Sequence, residues 1–221
     1  MKTLSKFFLL PVVLGLGLSG CSSMREAIYG RPTPLAPLTS SVLGAATRDG
    51  IVQQFGLPDE IAKRWFESFE SEVYYYYDRD GSKGPPVEYQ FLACEFSKGV
   101  LTGYSYHDSD VSAQRSFDEN GRFELIKGKS TRQDVERLLG MPSGRALLPT
   151  TLTLPALDLK MGGVPYPLAK VPEEAKEVWQ YYSQNLDDYL HKSAQKSLSV
   201  FFDAKGLFVG SALLRELSVK Q

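Results

Sequence analysis

Residues 42–58 align without gaps onto residues 126–142, an offset of 84 at which Gly44/Gly128, Thr47/Thr131, Arg48/Arg132, Gly56/Gly140 and Pro58/Pro142 are identical. Average compositions would give roughly one match over that length. Val42/Ile126, Ile51/Val135, Phe55/Leu139 and Leu57/Met141 keep apolar character as well. Two homologous units follow, so whatever one copy can fold into, the other must approximate.

The second copy predicts a short helix. Ser130 and Gln133 fit a capping box, Val135, Leu138 and Leu139 fall on one face, Gly140 can end the helix and Pro142 prevents its resumption. Gly128 breaks the backbone between this helix and a helical segment at 123–127, giving a tight helical hairpin. The first copy has Ala46 in place of Ser130 and Gly50 inside the helix, at a cost of about 1–2 kcal/mol. Strands are expected at 73–77, 87–96 and 100–106, and again at 178–182, 198–202 and 207–214, the last after the turn Asp203-Ala204-Lys205-Gly206. The expected class is α+β: two tandem units, 42–115 and 116–221, each a short helical hairpin packed on a three-stranded antiparallel sheet. Residues 144–172 read as a loop inserted in the second unit, with Pro149, Pro155, Pro165, Pro167 and Pro172 and an apolar piece at 152–159. Such a loop contacts a partner or a membrane surface, or packs across the join.

The N-terminus reads as an address. Met1-Lys2-Thr3-Leu4-Ser5-Lys6 is a basic lead, residues 7–18 are apolar, and small residues precede Cys21, which together make an export signal. The apolar run contains Pro11 and is shorter than the roughly 18–20 residues a spanning helix needs. Leu18-Ser19-Gly20-Cys21 resembles the bacterial lipobox. That resemblance implies removal of residues 1–20 and a diacylglyceryl group on the Cys21 thiol, and Ser22 in the next position implies transfer to the outer membrane. An ordinary secreted protein with an incidental Cys21 is the alternative. Two or more acyl chains, at about 0.8 kcal/mol per buried methylene, hold a protein stably at a membrane. Residues 21–41, with Pro32, Pro34 and Pro37, read as a stiff tether.

Composition excludes much chemistry. The chain carries 25 Lys plus Arg against 26 Asp plus Glu, and loss of Lys2 and Lys6 leaves 23 against 26, so no basic excess points to nucleic acid. Two cysteines and two histidines leave little for a zinc site or a Cys/His pair. Cys94, alternating with Leu92 and Phe96 on one strand face, reads as a small buried hydrophobe. Asp78-Arg79-Asp80-Gly81 lacks the glutamate that closes a calcium loop, because the twelfth position is Tyr89. His107-Asp108-Ser109-Asp110 and His191 lack a second histidine at ligand spacing. Neither a Gly-x-Ser-x-Gly elbow nor a Walker loop occurs. No catalytic residue, cofactor or metal is expected, apart from the covalent lipid.

The run Ile126-Lys127-Gly128-Lys129-Ser130-Thr131-Arg132-Gln133-Asp134-Val135-Glu136-Arg137-Leu138-Leu139-Gly140-Met141-Pro142 resembles the SmpA/OmlA signature of BamE-like outer-membrane lipoproteins. The aromatic strand at 179–182 and the hairpin at 202–207 follow in the same order. A tandem pair of such units is similar to the secreted β-lactamase inhibitory proteins, which bind protein with the sheet faces of two copies. The resemblance implies binding rather than catalysis, in outer-membrane assembly or envelope integrity, with the β-barrel assembly machinery as a partner. Within Tyr74-Tyr75-Tyr76-Tyr77 a strand puts alternate rings on opposite faces, so Tyr75 and Tyr77, with Tyr104 and Tyr106 beside them, are the candidate partner-binding residues, sheet packing being the alternative reading. An inhibitor or sensor binding a soluble envelope protein, and a lipid- or glycan-binding module, are the other functional readings.

Overall fold

The computed structural model describes residues 38, 43–66, 68–80, 88–108, 117–152, 171–187 and 192–219. The signal, Cys21 and most of the tether lie outside these residues, as do 153–170 of the insertion.

The two expected three-stranded sheets are corrected to one eight-stranded antiparallel sheet whose spatial order follows the sequence. Helix α1 (Arg48–Phe55) precedes β1 (Glu60–Phe66), β2 (Phe69–Asp80), β3 (Glu88–Ser97) and β4 (Val100–Asp108). A 3-10 turn (Glu119–Glu124) and α2 (Arg132–Leu139) then lead to β5 (Gly144–Leu147), β6 (Glu177–Asp187), β7 (Lys192–Phe202) and β8 (Phe208–Val219). The extra strands are β1 and β5, one after each helix. The expected helical hairpins do not form: a 3-10 turn at Glu119–Glu124 stands before α2 in place of a helix at 123–127, and among the described residues no helix precedes α1. β5 pairs with β4 on one side and β6 on the other, so residues 144–147 fuse the halves instead of opening a loop.

The duplication is plain in the backbone. Gly44 and Gly128 have φ of 75° and 73°, and Gly56 and Gly140 of 80° and 81°, left-handed values that favour glycine. Gly44 N–H donates to Leu101 O and Gly128 N–H to Phe208 O, while Leu101 and Phe208 N–H donate back to Ala46 and Ser130 O. Capping differs from expectation by one residue. Thr131 caps α2, and Asp134 returns the bond to the Thr131 N–H, closing a capping box. Ser130 Oγ instead accepts from Ile126 N–H and fixes the preceding turn. Thr47 caps α1 through Gly50 N–H, but Gly50 stands where Asp134 does and has no side chain to complete the box.

Register places both helices on one face. Ile61, Tyr74, Cys94, Tyr104, Arg145, Trp179, Val200 and Ser211 are cross-strand neighbours in a single row from β1 to β8. Over the first half of this face Ile51 and Phe55 of α1 pack on Tyr74, Tyr76, Leu92, Cys94 and Tyr104, and Leu38 of the tether joins them. Over the second half Val135 and Leu139 of α2 pack on Trp179, Tyr181, Leu198, Val200 and Phe202. The opposite face is not bare. Leu152 covers Val73, Tyr75, Phe91 and Ala93, and Leu148, Val171 and Ala175 cover Ala146, Val178, Phe201 and Val209. The described ends of the insertion therefore pack on the sheet.

Candidate functional site

The four tyrosines do not form one exposed patch. Tyr75 and Tyr77 point away from the helices, as alternation requires, yet Tyr75 is buried and Tyr77 half-buried against Phe91. Tyr75 Oη also accepts from the Arg64 guanidinium at 2.8 and 3.1 Å. Tyr104 is buried on the helix face, where Tyr106 packs half-buried and donates to Asp108 at 3.1 Å. Tyr75 and Tyr77 are covered because the second face is buried too, which alternation alone does not reveal, and Tyr104 and Tyr106 stand on the other face because register pairs them with Cys94 and Leu92.

What the two halves do share is a strut. Arg48, at the start of α1, meets Glu72 of β2 at 2.8 Å on the surface. This contact, with Tyr74 beside it, raises the Arg48 guanidinium further above its ordinary range. Its counterpart Arg132 of α2 grips Glu177 of β6 through Nε at 2.9 Å and through Nη2, and lies over the Phe202 ring. Glu177 is buried and also accepts from Trp179 Nε1 at 2.6 Å. The identity at 48 and 132 was the sequence signal for this contact, but its acidic partners lie outside the aligned segment.

Two buried ionisable side chains were not foreseen. Glu95 of β3, fully buried on the second face, accepts from Thr150 Oγ1 at 2.7 Å and from Thr151 N–H and Oγ1 at 2.7 and 2.6 Å. These bonds fasten the insertion to the sheet. Gly103 beside it leaves the necessary room, since a Cβ there would lie 2.9 Å from both Ala146 Cβ and Leu152 Cδ1. Arg145 of β5 is 1% exposed, stacks 3.9 Å over Trp179, and has Glu136 at 3.8 Å. Its Nε and Nη2 have no hydrogen-bond partner among the described residues.

The outer surface carries large apolar groups in two places. Leu57, Ile61 and Trp65 are 79%, 54% and 64% exposed at α1 and β1, and Phe123 and Ile126 lie exposed before α2. A cleft of about 670 Å³ at the β1–β2 and β3–β4 turns is lined by Arg48, Glu70, Glu72, Phe96 and Lys98 among others. Its mixed charges suit peptide or protein contact better than a bare ion. Among the described residues no group of three or more His, Cys, Asp or Glu can hold a metal. His107 stacks edge-on against Tyr182 across the halves, whereas His191, Gly81 and 109–110 lie outside the described residues.

Cys94 is fully buried between Leu92 and Phe96, and burial pushes its thiol well above the ordinary range. A thiol reagent is therefore expected to leave Cys94 unmodified in the folded chain and to modify it stoichiometrically in denaturant, as read by mass spectrometry. Rapid native labelling would contradict that burial.

No protein-family model matches the chain, and no curated protein matches it. Among solved structures it is similar to the crystal structure of a putative beta-lactamase inhibitor protein from Streptococcus mutans, at 14% identity and a TM-score of 0.37 over 76% of this chain and 82% of that one. That overlap is too loose to place a role on this chain.

Proposed function

We propose that the protein is a lipid-anchored, non-catalytic binding or scaffolding module of the bacterial envelope, held at the outer membrane by acylated Cys21 and facing the periplasm. The observation that carries the reading is Leu18-Ser19-Gly20-Cys21 behind a basic lead and a short apolar run. The signature at 126–142, similar to that of BamE-like lipoproteins, supports outer-membrane assembly as the process and the barrel-assembly machinery as the partner. The sheet suits a scaffold: both its faces carry buried cores, which leaves edges and turns to meet other proteins.

Labelled palmitate supplied to expressing cells is expected to enter the chain and to disappear from a Cys21→Ala variant, which keeps residues 1–20 and leaves the outer-membrane fraction. Crosslinking in intact envelopes should recover barrel-assembly subunits with the lipidated chain and not with Cys21→Ala. Unchanged labelling of the variant removes the anchor from the proposal, and reproducible absence of those subunits removes the assembly role.

A further inference from the structure

The geometry points to a second copy of this chain as the occupant of the β1 edge, joined head to tail through β8 in the manner in which β4 joins β5 inside one chain. The argument begins from the register. In the helix-face row the first half contributes Ile61, Tyr74, Cys94 and Tyr104 and the second Arg145, Trp179, Val200 and Ser211. The internal join is Tyr104 against Arg145. The row begins at Ile61 and ends at Ser211, which occupy the same positions in their halves as Arg145 and Tyr104 do in theirs.

The neighbouring row repeats the relation with the same residue types. Ala62, Val73, Glu95 and Gly103 are followed by Ala146, Val178, Phe201 and Gly210, so the join is Gly103 against Ala146 and the two open ends are Gly210 and Ala62. Gly103 allows the close approach of Ala146. Gly210 and Ala62 keep that glycine and that alanine. Both β3–β4 and β7–β8 also shift register before these glycines, at Glu95/Phe96 and Phe201/Phe202, which bends β4 and β8 alike.

Burial shows what the join does. Arg145 and Tyr104 are 1% exposed and Ala146 is 3% exposed, whereas Ile61 is 54% exposed and Ser211 is exposed too. Ile61 stands where Arg145 does, an apolar residue in place of a buried cation, so covering it carries no desolvation penalty. Among the described residues β1 and β8 are the outer strands of the sheet, and a repeat architecture with a leading and a trailing edge extends by heterologous contact. Lys63 and Arg64 on β1 oppose indiscriminate edge pairing and leave Ile61 and Ala62 as the point of entry. Glu60 replaces the tightly held Gly144, so the contact between copies is centred on Ile61–Ser211 and Ala62–Gly210 and opens beyond them.

Two variants of the full chain, Ile61→Cys and Ser211→Cys, each also carrying Cys21→Ser, are mixed in mild detergent under slow oxidation. Directly opposed strand residues have Cα atoms about 4.5–5.5 Å apart, within disulfide reach. The mixed disulfide is expected to form in large excess over either homodimer. Preference for the Ile61→Cys homodimer would mean two-fold β1 pairing. That outcome overturns the proposal, as does a random mixture of the three products or none of them. In sedimentation velocity the chain with Ile61 intact is expected to gain mass with concentration, and Ile61→Asp to stay monomeric with an unchanged melting temperature. A chain that is monomeric at every concentration overturns the inference. The contact stands on the fold and not on the anchor, so loss of palmitate labelling would leave it untouched.

Discussion

Glu177→Ala is expected to lower the free energy of unfolding by about 2–4 kcal/mol, read as a drop in the denaturant midpoint with an unchanged slope. Glu177 is the acceptor on which Arg132 and Trp179 converge. Trp179 is 1% exposed, so its indole N–H would be left buried without an acceptor, at about 1–3 kcal/mol. Arg132 has 41% of its side chain exposed, and water recovers much of what its guanidinium loses, which limits that share to about 1 kcal/mol. Glu72→Ala, at the matching strut of the first half, is expected to have a smaller effect. Glu72 is 33% exposed and its partner Arg48 is 44% exposed. Equal losses at the two positions would mean that burial of the indole contributes nothing.

The unequal struts show which level of organisation the sequence discloses. Local backbone demands leave marks: Gly44/Gly128 and Gly56/Gly140 recur because both copies need a positive φ at those points, and each has it. Four of the six expected strands lie within observed ones and the other two, 87–96 and 207–214, begin one residue ahead of β3 and β8, because apolar alternation reports burial on at least one face. β1 was missed because Glu60-Ile61-Ala62-Lys63-Arg64-Trp65-Phe66 carries three charges, as edge strands do. β5 was missed because it is four residues long and holds an arginine. That arginine is stabilised by stacking on Trp179, 34 residues along the chain, which no local pattern encodes. The capping box slipped by one residue because Ser130/Gln133 and Thr131/Asp134 satisfy the same spacing, and the choice falls to the turn that uses Ser130 Oγ. The error in fold class follows from these strands. Without β1 and β5 the halves have three strands each and nothing to join them.

Glu95 sets the second large expectation, because its carboxylate is the point at which the insertion is fastened to the sheet. Glu95→Ala leaves three close donors, the hydroxyls of Thr150 and Thr151 and the Thr151 N–H, without this acceptor, beside a new cavity, while the Thr102 hydroxyl, 3.5 Å from the carboxylate, keeps the Glu95 carbonyl. The Thr151 hydroxyl keeps Ser71 Oγ at 2.8 Å. The expected cost is about 3–5 kcal/mol. Glu95→Gln should cost about 1 kcal/mol or less. Its amide oxygen can serve Thr151 while its NH2 donates to Thr150 Oγ1, whose hydroxyl can turn. The order Ala far below Gln therefore tests a hydrogen-bonding role. The reverse case, in which Gln is as damaging as Ala, would mean that the negative charge itself is required. A second readout separates local release from global loss. Leu152 lies on Val73, Tyr75, Phe91 and Ala93, so freeing its segment uncovers an aromatic surface that the intact chain hides. Glu95→Ala is expected to bind a hydrophobic dye and to be cut by protease near Thr150 well below its unfolding midpoint, and Glu95→Gln to resist both. Under that outcome Tyr75 becomes reachable when residues 150–152 are released, whereas Tyr77 is already half-exposed and Tyr104 and Tyr106 stay on the helix face, so the strip that the sequence presents is divided between the two faces.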